Sequence, residues 1–211
     1  MNETPRAILL DIEGTTSSIA FVTETLFPYA RRNLIPYVAS HIGEVQPILE
    51  QIPGDDKFAT LFQWMDEDRK ETPLKTLQGR IWAEGYASGE LDGHVYPDTP
   101  EAIRRWRERG IEVHIYSSGS VEAQKLIFGN SVAGDLTPLL GRYFDTNIGP
   151  KREPASYCRI AAALDLPPQE MLFVSDVQAE IDAARAAGMA AMLIDREGGA
   201  GDVSSLAEVV P

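Results

Sequence analysis

Ala7-Ile8-Leu9-Leu10 is a short unbroken apolar run that ends abruptly in Asp11-Ile12-Glu13-Gly14-Thr15-Thr16. An apolar run of this length without alternation predicts a strand buried on both faces, opening into a polar loop. From about 21 to 90 the period changes. Leu34, Tyr37, Val38 and His41 recur at helical spacing, as do Phe58, Leu61, Phe62 and Met65, and Leu74, Leu77 and Ile81 repeat the stripe. No strand pattern interrupts this block. It is punctuated by Pro28, Pro36, Pro53-Gly54 and Pro73, and it ends at Gly93-His94-Val95-Tyr96-Pro97.

After Pro97, helix and strand alternate. A helix near 98–109 precedes the strand Ile111-Glu112-Val113-His114-Ile115-Tyr116, and Ser117-Ser118-Gly119-Ser120 opens the next helix. A short strand at Tyr143-Phe144-Asp145, a helix over 154–164, the strand Met171-Leu172-Phe173-Val174-Ser175, a helix over 178–187 and the strand Ala190-Ala191-Met192-Leu193-Ile194 follow. Such alternation predicts an α/β fold, a doubly wound parallel sheet with helices on both faces. We divide the chain into an α/β core, 1–20 with 97–211, and an all-helical cap, 21–96, inserted after the first strand. The tail from Gly198 carries no recognisable chemistry.

A chain of 211 residues fits a core plus one modest insertion. Its 19 basic and 32 acidic side chains leave a net charge of −13. A field of that sign repels nucleic acid and anionic membranes, so neither is an expected partner. The polar, acidic N-terminus from Met1 and the lack of a long apolar run predict a soluble, cytoplasmic protein without a targeting segment. Cys158, the only cysteine, can form no internal disulfide; it lies in a helical stretch and reads as a buried core thiol.

Ligands of open parallel sheets bind beyond the carboxyl ends of the strands. The polar residues follow that rule. Asp11 and Glu13 come after the first strand, Ser117 and Ser118 after the second, Lys151 after the third, and Asp176 with Glu180 after the fourth. Singly, each has a plainer explanation. Asp11 fits a turn former, Ser118 a helix N-cap, Lys151 a solvated loop lysine, Asp176 an N-cap, and Ser175 with Gln178 a capping box. Their order and shared location at strand ends favour a phosphate site, because helix N-terminal amides and an ammonium both attract an anion.

Asp11-x-Glu13-Gly14-Thr15, Ser117-Ser118-Gly119, Lys151 and Ser175-Asp176 resemble the four ordered motifs of haloacid-dehalogenase-type phosphatases, and the helical block resembles their cap. Within that superfamily, Asp11 to Ile19 and Tyr116 to Lys125 closely resemble the bifunctional enolase-phosphatases of methionine salvage. Glu13 agrees with this family, whereas Glu180 stands where many relatives have a second Asp. The resemblance implies that Asp11 attacks phosphorus, forming an aspartyl-phosphate that water hydrolyses. It implies one Mg²⁺ per subunit, held by Asp11, Asp176 and the Glu13 carbonyl, with Glu180 orienting that shell. Lys151, Ser117 and Ser118 are implied to bind the phosphoryl oxygens, and the Glu13 carboxyl to protonate the leaving oxygen and activate water.

The implied substrate is a small phosphorylated diketone, 2,3-diketo-5-methylthiopentyl-1-phosphate, enolised and then dephosphorylated to an acireductone by a protein expected to be a monomer. Glu13 is the first candidate for the enolisation base, with His94, Tyr86 and Glu24 also open. His41, His94 and His114 all read as structural. Phe58, Phe62, Trp64, Trp82 and Tyr86 read as cap core, and Ser17 to Thr23 with 93–97 as hinges. The main alternative is a Mg²⁺-dependent phosphatase of the same fold acting on another small phosphate. A dehalogenase proper, a receiver-like phosphorylatable domain and a silent relative are the others; Lys151 with the acid set argues against the first, and the helical insertion against the second.

Overall fold

The structure is a computed structural model that describes residues 4–210; Met1, Asn2 and Glu3 at the head of the polar N-terminus, and Pro211, lie outside the described residues. The chain forms two compact units, Met1–Ile19 with Gly93–Pro211, and Ala20–Asp92. In chain order the elements are β1 (Ala7–Leu10), α1 (Phe27–Ser40), α2 (Ile42–Leu49), α3 (Lys57–Asp66), α4 (Thr72–Ala87), α5 (Asp98–Glu108), β2 (Glu112–Tyr116), α6 (Val121–Gly129), β3 (Tyr143–Phe144), α7 (Pro154–Leu164), β4 (Met171–Ser175), α8 (Gln178–Ala186) and β5 (Ala190–Leu193).

The five strands of the first unit form one parallel sheet in the order β3-β2-β1-β4-β5. This is the doubly wound α/β sheet that the alternation predicts. Central β1 is wholly buried along its length, as a strand covered on both faces must be. Leu9 packs with Tyr116, Phe173, Tyr157, Ile160 and Ile181. Each such side chain contributes roughly 1.5–3 kcal/mol by leaving water. Leu10 pairs with both Ile115 and Val174, so Asp11, Tyr116 and Ser175 reach the carboxyl edge of the sheet level with one another.

The second unit is helical throughout its described elements. A π-helical turn, Phe21–Leu26, leads directly into α1. Leu34, Tyr37, Val38, Leu61, Leu74, Leu77 and Ile81 are buried as the stripes predict, and Trp64, Trp82 and Tyr86 join them. Phe58, Phe62 and Met65 are only half-buried. Gly85 of α4 lies against Tyr29 of α1, where an added Cβ would stand 2.7 Å from the ring, and the Trp82 indole donates to the Leu26 carbonyl at 2.8 Å. Pro36 does not interrupt α1, because the buried Leu34, Tyr37 and Val38 around it hold the helix together. Among the described residues no helix is long and apolar enough to cross a membrane.

Cys158 corrects one expectation, since it is exposed. The buried face of α7 is Ser156, Tyr157, Ile160 and Ala161, and Cys158 stands about 100° around the helix from Tyr157, pointing away from it. The tail also has structure: Leu206 and Val209 are fully buried, and the Trp106 indole donates to the Val209 carbonyl at 3.2 Å.

Candidate active site

Asp11 stands one residue beyond β1, and its amide continues the ladder by donating to the Val174 carbonyl at 3.0 Å. Its carboxylate is buried and heavily supplied with donors. Oδ1 accepts from the Ile12 amide at 2.7 Å and lies 2.7 Å from Lys151 Nζ, while Ser175 Oγ is 3.2 Å from Oδ2. Lys151 Nζ lies 2.6 Å from Glu180 Oε2 as well, and its side chain is only 9% exposed. Burial pushes the Lys151 ammonium down, but the charges and hydrogen bonds of Asp11 and Glu180 outweigh it and hold the group protonated above its ordinary range. Ser175 Oγ is also 2.9 Å from Glu180 Oε2, so its one proton serves two carboxylates in turn.

The loop bearing Lys151 is fastened by three hydroxyls, two of them aromatic. Tyr116 donates to the Gly149 carbonyl at 2.8 Å, Tyr157 to the Lys151 carbonyl at 2.7 Å, and Ser156 to the Pro150 carbonyl at 2.8 Å. A lysine with this setting is no solvated loop residue.

Asp176, one residue beyond β4, is packed against the loop after β1. Gly14 has φ +71°, and an added Cβ there would fall 2.2 Å from Asp176 Oδ2. The Asp176 amide donates to Thr15 Oγ1 at 3.1 Å. Its Oδ1 is buried without a hydrogen-bond partner, and burial together with the Asp11 charge pushes the carboxyl up to about 6. Two carboxylates, Asp11 and Glu180, thus share one ammonium, and the neighbouring Asp176 carboxyl has an orphaned oxygen. That donor set fits a hard divalent cation. Among the described residues no cluster of three or more His, Cys, Asp or Glu side chains is arranged to hold an ion alone. An ion here would therefore complete its shell with main-chain, water or substrate oxygens.

Ser117 and Ser118 follow β2, one and two residues beyond Tyr116, which the register sets level with Asp11. Ser117 is buried; its amide donates to the Phe144 carbonyl at 3.2 Å and its hydroxyl accepts the Gly119 amide at 3.2 Å. Ser118 is exposed, and it is Ser120, not Ser118, that caps α6 by accepting the Ala123 amide. At α8 the N-cap is Val177, with no side-chain cap, so neither Asp176 nor a Ser175–Gln178 box starts that helix. Ser175 instead faces Asp11 and Glu180. Glu180 meets Lys151 and Ser175, and Glu13 is half-buried two residues beyond Asp11.

His94 Nδ1 accepts the Ser18 amide at 3.1 Å and lies 3.2 Å from Ser17 Oγ, which places the ring proton on Nε2. Burial, with the Arg196 charge, holds its pKa below the usual histidine range. His114 is buried in β2 and accepts the Arg142 amide at 2.9 Å, whereas His41 stacks on Tyr37 at the end of α1. Sequence reading names Thr15 only within a motif and overlooks Tyr116, Asp98 and Arg196, whose contacts are distant in sequence, and Tyr157, whose hydroxyl reaches the Lys151 carbonyl six residues away.

The family model for haloacid dehalogenase-like hydrolases matches residues 5–188. The chain is 52% identical to Enolase-phosphatase E1 of Pseudomonas aeruginosa (strain UCBPP-PA14), covering 98% of this chain and 99% of that one. It is 53% identical to Enolase-phosphatase E1 of Methylococcus capsulatus (strain Bath), covering 92% and 91%. Among solved structures, the UTR4 protein of Saccharomyces cerevisiae superposes with a TM-score of 0.83 at 39% identity, covering 93% of this chain and 92% of that one.

Proposed function

The chain belongs to the haloacid dehalogenase-like hydrolases and is an enolase-phosphatase of methionine salvage, and from that premise we propose that Asp11, Glu13, Ser117, Ser118, Lys151 and Asp176 form its phosphoryl-transfer centre. The reaction converts 2,3-diketo-5-methylthiopentyl-1-phosphate to the acireductone 1,2-dihydroxy-3-keto-5-methylthiopentene and phosphate. The observation that carries the site assignment is the buried Lys151 ammonium between Asp11 Oδ1 and Glu180 Oε2.

Asp11 attacks phosphorus. A new bond forms between its carboxylate oxygen and phosphorus as the bond to the enol oxygen breaks, and water then hydrolyses the aspartyl-phosphate. Two donors fix Asp11 Oδ1, so little orientational freedom is lost in reaching the attacking geometry. Asp11 and Glu180 take two of the three Lys151 N–H bonds and leave the third for an equatorial phosphoryl oxygen. On the neighbouring strand end, the Ser117 hydroxyl and the Ser118 amide and hydroxyl are offered to the remaining oxygens, the Ser117 amide being engaged by the Phe144 carbonyl. Glu13 gives its proton to the leaving oxygen and later takes one from water.

Asp11, Asp176 and the Glu13 carbonyl are the groups that would hold Mg²⁺, with Glu180 supporting them through Lys151 and Ser175. When bound, the ion neutralises carboxylate and phosphate charge and polarises the oxygens it touches. For the enolisation, Glu13 is the base that removes the carbon-1 proton. His94 is less suited, because its Nδ1 lone pair already accepts the Ser18 amide.

Replacing Asp11 with Asn tests the assignment. Phosphate release from the diketo phosphate should vanish; multiple turnover by a clean preparation would remove Asp11 from the nucleophile role.

A further inference from the structure

Arg196 lies just beyond β5, at the edge of the sheet, yet its side chain crosses to the loop after β1. Nε donates to the Thr15 carbonyl at 3.0 Å, and Nη2 bonds the same oxygen. Nη1 donates to Asp98 Oδ2 at 2.7 Å, and the guanidinium lies 4.1 Å over the Tyr96 ring. Asp98, the first residue of α5, is itself fixed, since its Oδ2 also accepts the Ser205 hydroxyl and the Leu206 amide, both at 2.7 Å.

The object of this grip is Thr15, which is fully buried. Its amide donates to the Ile12 carbonyl at 3.2 Å, and its hydroxyl accepts the Asp176 amide at 3.1 Å. With the carbonyl held by Arg196, all three of its polar handles are fixed. The preceding residue, Gly14, is the one pressed against the Asp176 carboxylate. The next carbonyl, that of Thr16, accepts the Tyr96 amide at 2.9 Å and the Thr99 hydroxyl at 3.2 Å. A planar fork that sends two N–H bonds to one carbonyl and a third to a carboxylate fixes a peptide plane in a way a lysine cannot.

We propose that Arg196 is a positioning residue for Asp176: it locks the Gly14-Thr15 turn against that carboxylate and so sets the affinity of the centre for its divalent cation. The inference rests on the reading of Asp176 as a metal ligand. Groups that orient metal ligands typically change affinity 10- to 100-fold when removed.

The test is a thermal-shift titration with magnesium chloride on the intact protein and on Arg196→Met, Arg196→Lys, Thr15→Val and Asp176→Asn, with steady-state kinetics alongside. The Mg²⁺ concentration giving half the maximal shift should rise about ten-fold in Arg196→Met and less in Arg196→Lys. The KM for the diketo phosphate at saturating Mg²⁺ should stay within about two-fold, as expected of a residue that acts on the metal ligand and not on substrate. Thr15→Val should raise the half-shift concentration too, and adding Arg196→Met to it should raise it by less than the product of the single effects. If both Arg196 variants melt lower but keep the wild-type half-shift concentration, Arg196 is a structural staple and the proposal is wrong. Should Arg196→Met not fold, Arg196→Lys and Thr15→Val decide. If Asp176→Asn keeps the full Mg²⁺ shift, the metal-ligand reading fails and takes the proposal with it; if it loses the shift while the Arg196 and Thr15 variants keep theirs, only the proposal fails.

Discussion

Lys151 Nζ stands 2.7 Å from Asp11 Oδ1 in a setting almost closed to water. The same ammonium separates Asp11 from Glu180 and balances both carboxylates, and in the proposed centre it also meets the transferring phosphoryl group. Lys151→Met should lower kcat for phosphate release about a hundred- to a thousand-fold, the usual cost of removing one such donor. Wild-type kinetics in that variant would remove Lys151 from the phosphoryl-binding role and leave it a structural ion-pair partner.

Gly14→Ala should damage the centre and lower stability. The residue needs a left-handed backbone, and a methyl group would collide with Asp176 Oδ2. We expect a loss of about 1–3 kcal/mol in urea unfolding, together with a weaker Mg²⁺ response. Unchanged Mg²⁺ dependence in a folded Gly14→Ala protein would show that the packing of this turn on Asp176 is not needed.

Asp98 should make stability depend on pH. Burial pushes its carboxyl up, but the hydrogen bonds from Arg196 and Ser205, the Arg196 charge and the Leu206 amide hold it below its ordinary 3.8. A depressed carboxyl stabilises the fold above its unfolded pKa, and that contribution is lost as pH falls through the lower, folded value. Asp98→Asn should therefore be less stable than wild type at pH 7, with a gap that closes as the pH falls below about 4. A gap unchanged down to pH 3, by chemical denaturation, would contradict the assignment.

Cys158 is exposed on α7. The native protein should react with one equivalent of Ellman's reagent without denaturant. Reaction only after unfolding would mean that the thiol is covered.

The parallel sheet is readable from sequence because its strands are short, mostly apolar segments alternating with helical ones, and the 7–10 run corresponds to β1 residue for residue. Asp11, Lys151 and Asp176 are readable for a related reason, since in such a sheet the chemistry collects at the strand ends. What escapes is whatever depends on a partner far along the chain. Arg196 is separated from Thr15 by 181 residues, and nothing local distinguishes it from a solvated arginine. Ser175 carries the pattern of a capping box, yet its hydroxyl faces Asp11, 164 residues away. The shift of the α6 cap from Ser118 to Ser120 is a matter of two residues within a run of serines, which composition cannot resolve.

The most direct test is an anaerobic assay of the purified protein with 2,3-diketo-5-methylthiopentyl-1-phosphate, following released phosphate and the near-ultraviolet absorbance of the acireductone, first with Mg²⁺ and then with excess chelator. The account predicts that both signals appear with Mg²⁺ and disappear together on chelation. Phosphate release from other small phosphates with none from this diketone would contradict it.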